Sequence, residues 1–294
     1  MKRNLISITG IAISVVLGLG LAWAGSDGGV KFYGLPVFFL AVGFAFALQW
    51  ICFIPAFYLQ TEKYFDLVGS LTYISAVIFV LAISEDVGVR ELVLGGFVLV
   101  WALRLGSFLF SRVRRAGEDS RFRSIKTNFL QFLMTWSLQG LWVSVTGGAV
   151  LAALTSSKEV PLGPFFFTGI AVSISGFVTE VIADFQKTRF NENPENARTY
   201  INTGLWRWSR HPNYFGEIIF WTGLAIISLP ALVGWQHLTL ISPLFVFVLL
   251  TRISGINLLE RKADLRWGND VSYQRYKSST NVLIVWPFKQ KDSG

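Results

Sequence analysis

Cysteine occurs once in this 294-residue chain, histidine twice, and Asp, Glu, Lys and Arg together make up only 15% of it. A lone Cys52, set inside an apolar run, excludes an internal disulfide and a thiolate metal cage. Two histidines as far apart as His211 and His237 exclude a His-Glu-x-x-His zinc site, and no metal is expected. No glycine pattern follows a credible strand, so the strand-borne dinucleotide fold is excluded as well. Gly18-Leu19-Gly20 lies within an apolar helical run and reads as a packing feature. The chain has no repeat, no low-complexity segment and no linker long enough to separate soluble domains, so residues 1–294 are read as one integral membrane domain.

What the chain has in quantity is apolar sequence: 52% hydrophobic residues, 15% aromatics and a mean hydropathy of +0.51. That composition belongs to a polytopic membrane protein. The gaps between charges locate the spans. No acid, Lys or Arg interrupts the stretches between Lys31 and Glu62, Lys126 and Lys158, Glu159 and Glu180, or Glu217 and Arg252. A crossing needs about 20 apolar residues, so each of the first three gaps holds one helix. The fourth, residues 218 to 251, would make a helix of about 51 Å at ~1.5 Å per residue, too long for one passage of a ~30 Å core. Pro230, Gly234, Gln236 and His237 fall in its middle, which predicts two helices joined by a turn. With runs near 4–24, 66–84 and 92–111, the expected fold is all-α: a transmembrane helical bundle of eight spans. The number falls to seven if Lys2, Arg3 and the run to Ala22-Trp23-Ala24-Gly25 are a cleaved signal peptide, although an uncleaved first helix completes the topology.

Charge placement gives the orientation. With the N-terminus inside, the outer loops hold Lys31, Arg90 and Lys158 against Asp27, Glu85, Asp86, Glu91 and Glu159. The inner segments collect Arg112, Arg114, Arg115, Arg121, Arg123 and Lys126, then Lys187, Arg189, Arg198, Arg207 and Arg210, then a basic tail. The positive-inside rule therefore places both termini in the cytoplasm. The net charge of +8 follows from topology and anionic lipid and is no argument for nucleic acid. A short basic N-terminus without a retention signal suits a bacterial inner membrane. The polar stretches 112–126, 185–213 and 259–294 share the inner face and are expected to close over a cytoplasmic cofactor vestibule.

Between two uncharged stretches sits Gly204-Leu205-Trp206-Arg207-Trp208-Ser209-Arg210-His211-Pro212-Asn213-Tyr214-Phe215-Gly216-Glu217, dense in donors and cations and closed by an acid. Such groups are costly at a membrane boundary unless satisfied, which marks a ligand site. Asp66, Arg104, Glu180, Asp184 and Glu217 are the ionisable residues within spans. Glu180 and Asp184 are four apart on one helix face, with Lys187 on nearly the same stripe. They read equally as helix-end acids held by arginines, and Arg104 as an ion-pair partner of Asp66. The arginines of the second basic group suit bidentate phosphate contacts, or plain positive-inside charge.

Glu180-x-x-x-Asp184-x-Gln186-Lys187, the cassette, and a tail with Tyr273, Tyr276, Thr280 and Trp286-Pro287-Phe288 together resemble the steroid 5-alpha-reductase-like superfamily. Asp66, Trp101-Ala102-Leu103-Arg104-Leu105-Gly106 and Gly117-Glu118-Asp119-Ser120-Arg121-Phe122 bring the resemblance closest to its DUF1295 branch, over residues 60–288. The resemblance implies a helical membrane reductase that uses NADPH to reduce a carbon–carbon double bond conjugated to a carbonyl, in a lipid, isoprenoid or steroid-like substrate. Asp184, Asn213 and Glu217 match positions lining the nicotinamide cofactor, and Arg189, Arg198, Tyr200 and Arg210 lie where phosphate and ribose contacts are expected. Lys187, His211 and Tyr214 of the same segments complete the expected cofactor set. Asn213 offers an amide both a donor and an acceptor.

The chain departs from the steroid reductases where a Glu and a Tyr polarise the substrate carbonyl. Aligning on Arg104 puts Trp101 at the tyrosine, and an indole is a poor proton donor. Glu62 and Asp66 are both near the position of the acid; Asp66, inside the span, is the preferred proton donor. Two other readings stay open. Isoprenylcysteine and phospholipid methyltransferases share an Arg-His-Pro-x-Tyr segment followed by an acid and bind S-adenosylmethionine, and a non-enzymatic lipid-binding protein would keep the cassette without the carbonyl acid.

Overall fold

The computed structural model describes residues 2–84 and 87–287. Glu85 and Asp86 of the charge count and Phe288 of the tail motif lie outside them. The helices follow the apolar runs: α1 Lys2–Gly25, α2 Val37–Tyr58, α3 Phe65–Ile83, α4 Val89–Ala116, α5 Phe129–Thr146, α6 Gly148–Leu154, α7 Pro164–Glu192, α8 Pro212–Ser228, α9 Ser242–Val248, α10 Ile256–Trp267 and α11 Val271–Ser279. A two-stranded hairpin, β1 Lys31–Phe32 and β2 Leu35–Pro36, follows α1. By length and hydropathy seven helical stretches can cross a bilayer, and eight if α5 and α6, bent by 55° about Gly147, count as one broken span. Two adjacent glycines at 147–148 account for the bend. The expected break near Pro230 is present: α8 ends in a 3₁₀ turn at Leu229–Ala231, and a second 3₁₀ segment begins at Gly234. The last span runs on to Trp267, beyond the expected end near 251, through a π-helical stretch at Leu249–Ile253.

The described residues form two compact units, 2–167 with 225–242, and 168–224 with 243–287. In the first unit α3 packs on α4, and α1 and α2 pack on α5. Gly18 lies against the Phe46 ring, where a β-carbon would come within 2.6 Å of it, so Gly18 is a packing position, whereas Gly20 has open space beside it. Phe53, Phe65, Phe132 and Trp136 form an aromatic core at the α2–α3–α5 junction. Asn128 caps α5 by accepting the Gln131 N–H at 3.0 Å, as a short polar side chain at that position should.

In the second unit α7 and α8 meet along small residues. A β-carbon on Gly216 would lie 2.5 Å from the Glu180 nitrogen and 2.7 Å from the Gly176 oxygen, and one on Gly223 would lie 2.7 Å from the Gly169 oxygen. Ser173 donates its hydroxyl to the Phe220 carbonyl at 3.4 Å. Without side chains at these positions the two backbones approach closely, as small residues allow between membrane helices. The contact sets the register of everything one turn further along both helices.

Candidate functional site

Within the second unit, the register of α7 and α8 brings Asp184, one turn beyond Glu180, opposite Asn213, three residues before Gly216. Asn213 donates its side-chain amide to Asp184 Oδ1 at 3.2 Å. Glu180 and Asp184 on α7 and Glu217 on α8 are all buried, so three acids and one amide surround the end of the seam. Pro212 opens α8, where its fixed φ and missing N–H cost nothing.

The turn before α8 is held from three sides. Gln186 Oε1 accepts the Leu205 N–H at 3.0 Å. Gly204, at φ +59°, has no room for a β-carbon beside the Gln186 amide, so only glycine suits it both sterically and conformationally. The Trp206 indole donates to the Ala183 carbonyl at 3.1 Å, and its ring carries the Lys187 ammonium 4.2 Å from the centroid. The tail supplies the third side. Ser209 and Asn281 form a β-bridge, Ser209 Oγ donates to the Leu283 carbonyl at 2.8 Å, and Tyr276 donates to the Trp206 carbonyl at 2.7 Å.

Beneath this turn lies a charged cluster organised by Glu260. Its carboxylate takes the Arg210 Nη2 at 3.1 Å, the His211 Nε2 at 2.9 Å and the Lys277 Nζ at 3.7 Å. Arg210 also donates to the Lys277 carbonyl. His211 stacks on Tyr214 with 5.7 Å between centroids. Burial, foremost, pushes the His211 imidazole below its ordinary value, and Lys187 and Arg210 add to this against the pull of Glu260. Tyr200, Trp267, Tyr273 and Tyr276 form an aromatic group, with Tyr200 donating to Ser272 at 3.1 Å. Burial, with Glu260 and Asp264 adding, pushes Tyr273 up to about 12.

The expected cofactor residues thus fall into three settings. Asp184, Lys187, Asn213 and Glu217 belong to the seam end. Arg210, His211 and Tyr214 are gathered around Glu260, which occupies the guanidinium expected to meet phosphate. Tyr200 packs in the aromatic group, and neighbouring Arg198 is exposed, its carbonyl accepting the Trp267 indole N–H at 3.1 Å. Arg189 stands apart from these three settings. Five residues on a helix turn the side chain by about 140° relative to Asp184, and Arg189 lines an open groove with Phe185, Phe190 and Asn193. Two features escaped sequence reasoning: Glu260, an acid following Leu258-Leu259, and the glycine seam, signalled by Gly169/Gly176 and Gly216/Gly223 at the same spacing of seven.

The other expected residues belong to the first unit. Glu62 is buried and held by Lys126 Nζ at 2.7 Å and the Asp119 N–H at 3.0 Å. Burial alone would raise its carboxyl pKa, but these two bonds outweigh it and hold the value below the ordinary carboxylate range. Glu62 thereby anchors the 118–126 loop through Lys126 and the Asp119 backbone. Asp66 meets Arg121 at 3.8 Å, so the cation beside it comes from that loop, where Arg104 was expected. Trp101 is buried edge-on against Tyr73, centroids 5.3 Å apart, as a core aromatic. The polar stretches 185–213 and 259–287 meet in the second unit, and 112–126 folds onto Glu62 and Asp66 in the first.

Spans, seam and buried polar cluster define a polytopic α-helical membrane protein with a polar site at the ends of two tightly packed helices. The chain belongs to the DUF1295 family, described as a protein of unknown function, whose model matches residues 52–280; the family lies in the steroid 5-alpha-reductase-like superfamily. A probable O-methyltransferase, ustE, of Ustilaginoidea virens is 32% identical over 77 residues, 26% of this chain and 27% of the relative. An uncharacterised protein of Schizosaccharomyces pombe is 23% identical over 207 residues, 58% of this chain and 59% of the relative. The chain thus spans about a quarter of the first relative and under two thirds of the second. No solved structure matches it.

Proposed function

We propose that the protein is a membrane-embedded, NADPH-dependent reductase of a carbon–carbon double bond conjugated to a carbonyl in a lipid, isoprenoid or steroid-like substrate. The observation that supports this reading is the Asn213–Asp184 pair, a neutral amide and an acid on facing helices with Glu217 one turn along. A carboxamide presents one donor edge and one acceptor edge, and this pair offers the complement of both. Glu217 suits a ribose hydroxyl, and Lys187, whose ammonium lies over Trp206, suits a phosphate. Arg210 and His211, tied to Glu260, keep the turn before α8 in place and position Asn213. When bound, the nicotinamide supplies the hydride; the protein orients it and excludes water.

The test is NADPH titration of the detergent-purified protein, followed by fluorescence. Asn213→Ala and Glu217→Gln each abolish binding while leaving the melting temperature near wild type, and unaltered affinity in both discards the reading. Asp66→Asn keeps NADPH binding and loses turnover, because Asp66 is the acid assigned to protonation once Glu62 is committed to Lys126.

A second reading is favoured by the match to the probable O-methyltransferase: the buried acids Glu180, Asp184 and Glu217 also suit the cationic sulfonium of S-adenosylmethionine. Saturable S-adenosylmethionine binding without NADPH binding selects it.

A further inference from the structure

The face of α7 turned away from Asp184 is also shaped for a ligand. Ile174, Val178, Ile182 and Phe185 form an exposed stripe along it, at helical spacing. From Ile174 to Phe185 the stripe is about 16 Å long at ~1.5 Å per residue, close to half of a ~30 Å hydrocarbon core. It therefore matches the depth of one leaflet. The stripe runs into two open grooves that share Gln186 and Gly204, one of about 440 Å³ containing Arg189, the other of about 370 Å³ containing Arg207 and Trp208. Arg189 and Arg207 make no ion pair among the described residues, in contrast to Arg210.

The groove walls are held by internal bonds. Asn196 donates its amide to the Phe190 carbonyl at 3.0 Å, Asn193 accepts the Glu195 N–H at 3.1 Å, and Gln186 ties α7 to the turn at Leu205. An apolar track one leaflet long, ending in two uncommitted guanidinium groups and an exposed indole, is complementary to an anionic amphiphile. We infer that this groove seats an anionic phospholipid of the surrounding leaflet, its phosphate between Arg189 and Arg207 and one acyl chain along Ile174, Val178, Ile182 and Phe185. The site lies on the opposite face of α7 from the Asp184–Asn213 pair and is independent of the reductase reading.

Native mass spectrometry of the full-length protein in detergent tests this, with phosphatidylglycerol and phosphatidylcholine of identical chains as probes. Phosphatidylglycerol binds about thirtyfold more tightly, from roughly 1 kcal/mol for each of two basic residues at a membrane surface. Arg189→Gln with Arg207→Gln brings it to the phosphatidylcholine level, whereas the paired Lys substitutions keep most of the preference. Ile182→Ser with Phe185→Ser weakens both lipids alike. Equal binding of the two lipids by the wild type, or a preference that survives the double Gln variant, overturns the proposal. Displacement of the lipid by glycerol 3-phosphate at equal concentration reassigns the groove to a free phosphate, and displacement by NADPH reassigns it to the cofactor; either result also overturns it.

Discussion

Gly216 on α8 faces the backbone of Glu180 on α7 with no room for a β-carbon between them, and this contact places Asn213 against Asp184. Gly216→Ala pushes the helices apart, costing about 2 kcal/mol as an overpacked contact. It also separates the amide from the acid. A lower melting temperature together with weakened NADPH binding is expected in detergent; a variant that melts and binds like wild type would show the seam to be unimportant for the site.

His211 carries a pH dependence whose sign follows from its surroundings. Its folded-state pKa lies below the ordinary 6.5, with burial the largest cause, so the unfolded chain takes up a proton before the folded one does. The stability contributed by the neutral ring is complete above about pH 6.5 and is lost as pH falls from there through the folded value. Melting temperatures between pH 8 and 5 should fall more steeply for wild type than for His211→Gln. Parallel curves would mean that the ring titrates alike in both states.

Glu62 behaves in the same sense at lower pH. Lys126→Met leaves a buried carboxylate without its main partner and costs about 2 kcal/mol, the usual scale for an unsatisfied buried group. Because the carboxyl sits below its ordinary 4.5 in the folded state, the stability from the pair is present above that value and is lost as pH falls through the folded one. The stability gap between wild type and variant, read by thermal melting, should therefore close in acid. A gap that is constant with pH would point to lost packing of the lysine stem.

The orientation inferred from basic residues is open to labelling. Single cysteines at position 33 in the β1–β2 hairpin and at position 120 before Arg121, in a Cys52→Ser background, should react with membrane-impermeant reagent from opposite sides, 33 outside and 120 inside. Labelling of both from one side would change the span count by one.

The apolar runs were legible because crossing a bilayer is a local requirement: each segment must satisfy its own backbone and present about 20 apolar residues. The turn near Pro230 was legible for the same reason, whereas the break at Gly147 was not, because the charge-free stretch between Lys126 and Lys158 reads as one helix and the 55° bend shows only in the structure. The cassette stood out as a costly polar stretch next to apolar ones. Its internal wiring did not, since Glu260 lies 50 positions from Arg210 and Asp184 lies 29 from Asn213.

From the sequence alone came the class of protein, the positions of its spans and the segment that carries the polar site. Tertiary structure decided which of those polar groups meet. Two helices brought together at glycines join Asp184 to Asn213, Glu260 draws Arg210 and His211 to itself, Lys126 claims Glu62, and the turn of α7 carries Arg189 to the far face. The physical reason is that burial in lipid is enforced residue by residue along the chain, whereas a hydrogen bond between distant side chains exists only in the register that helix packing selects.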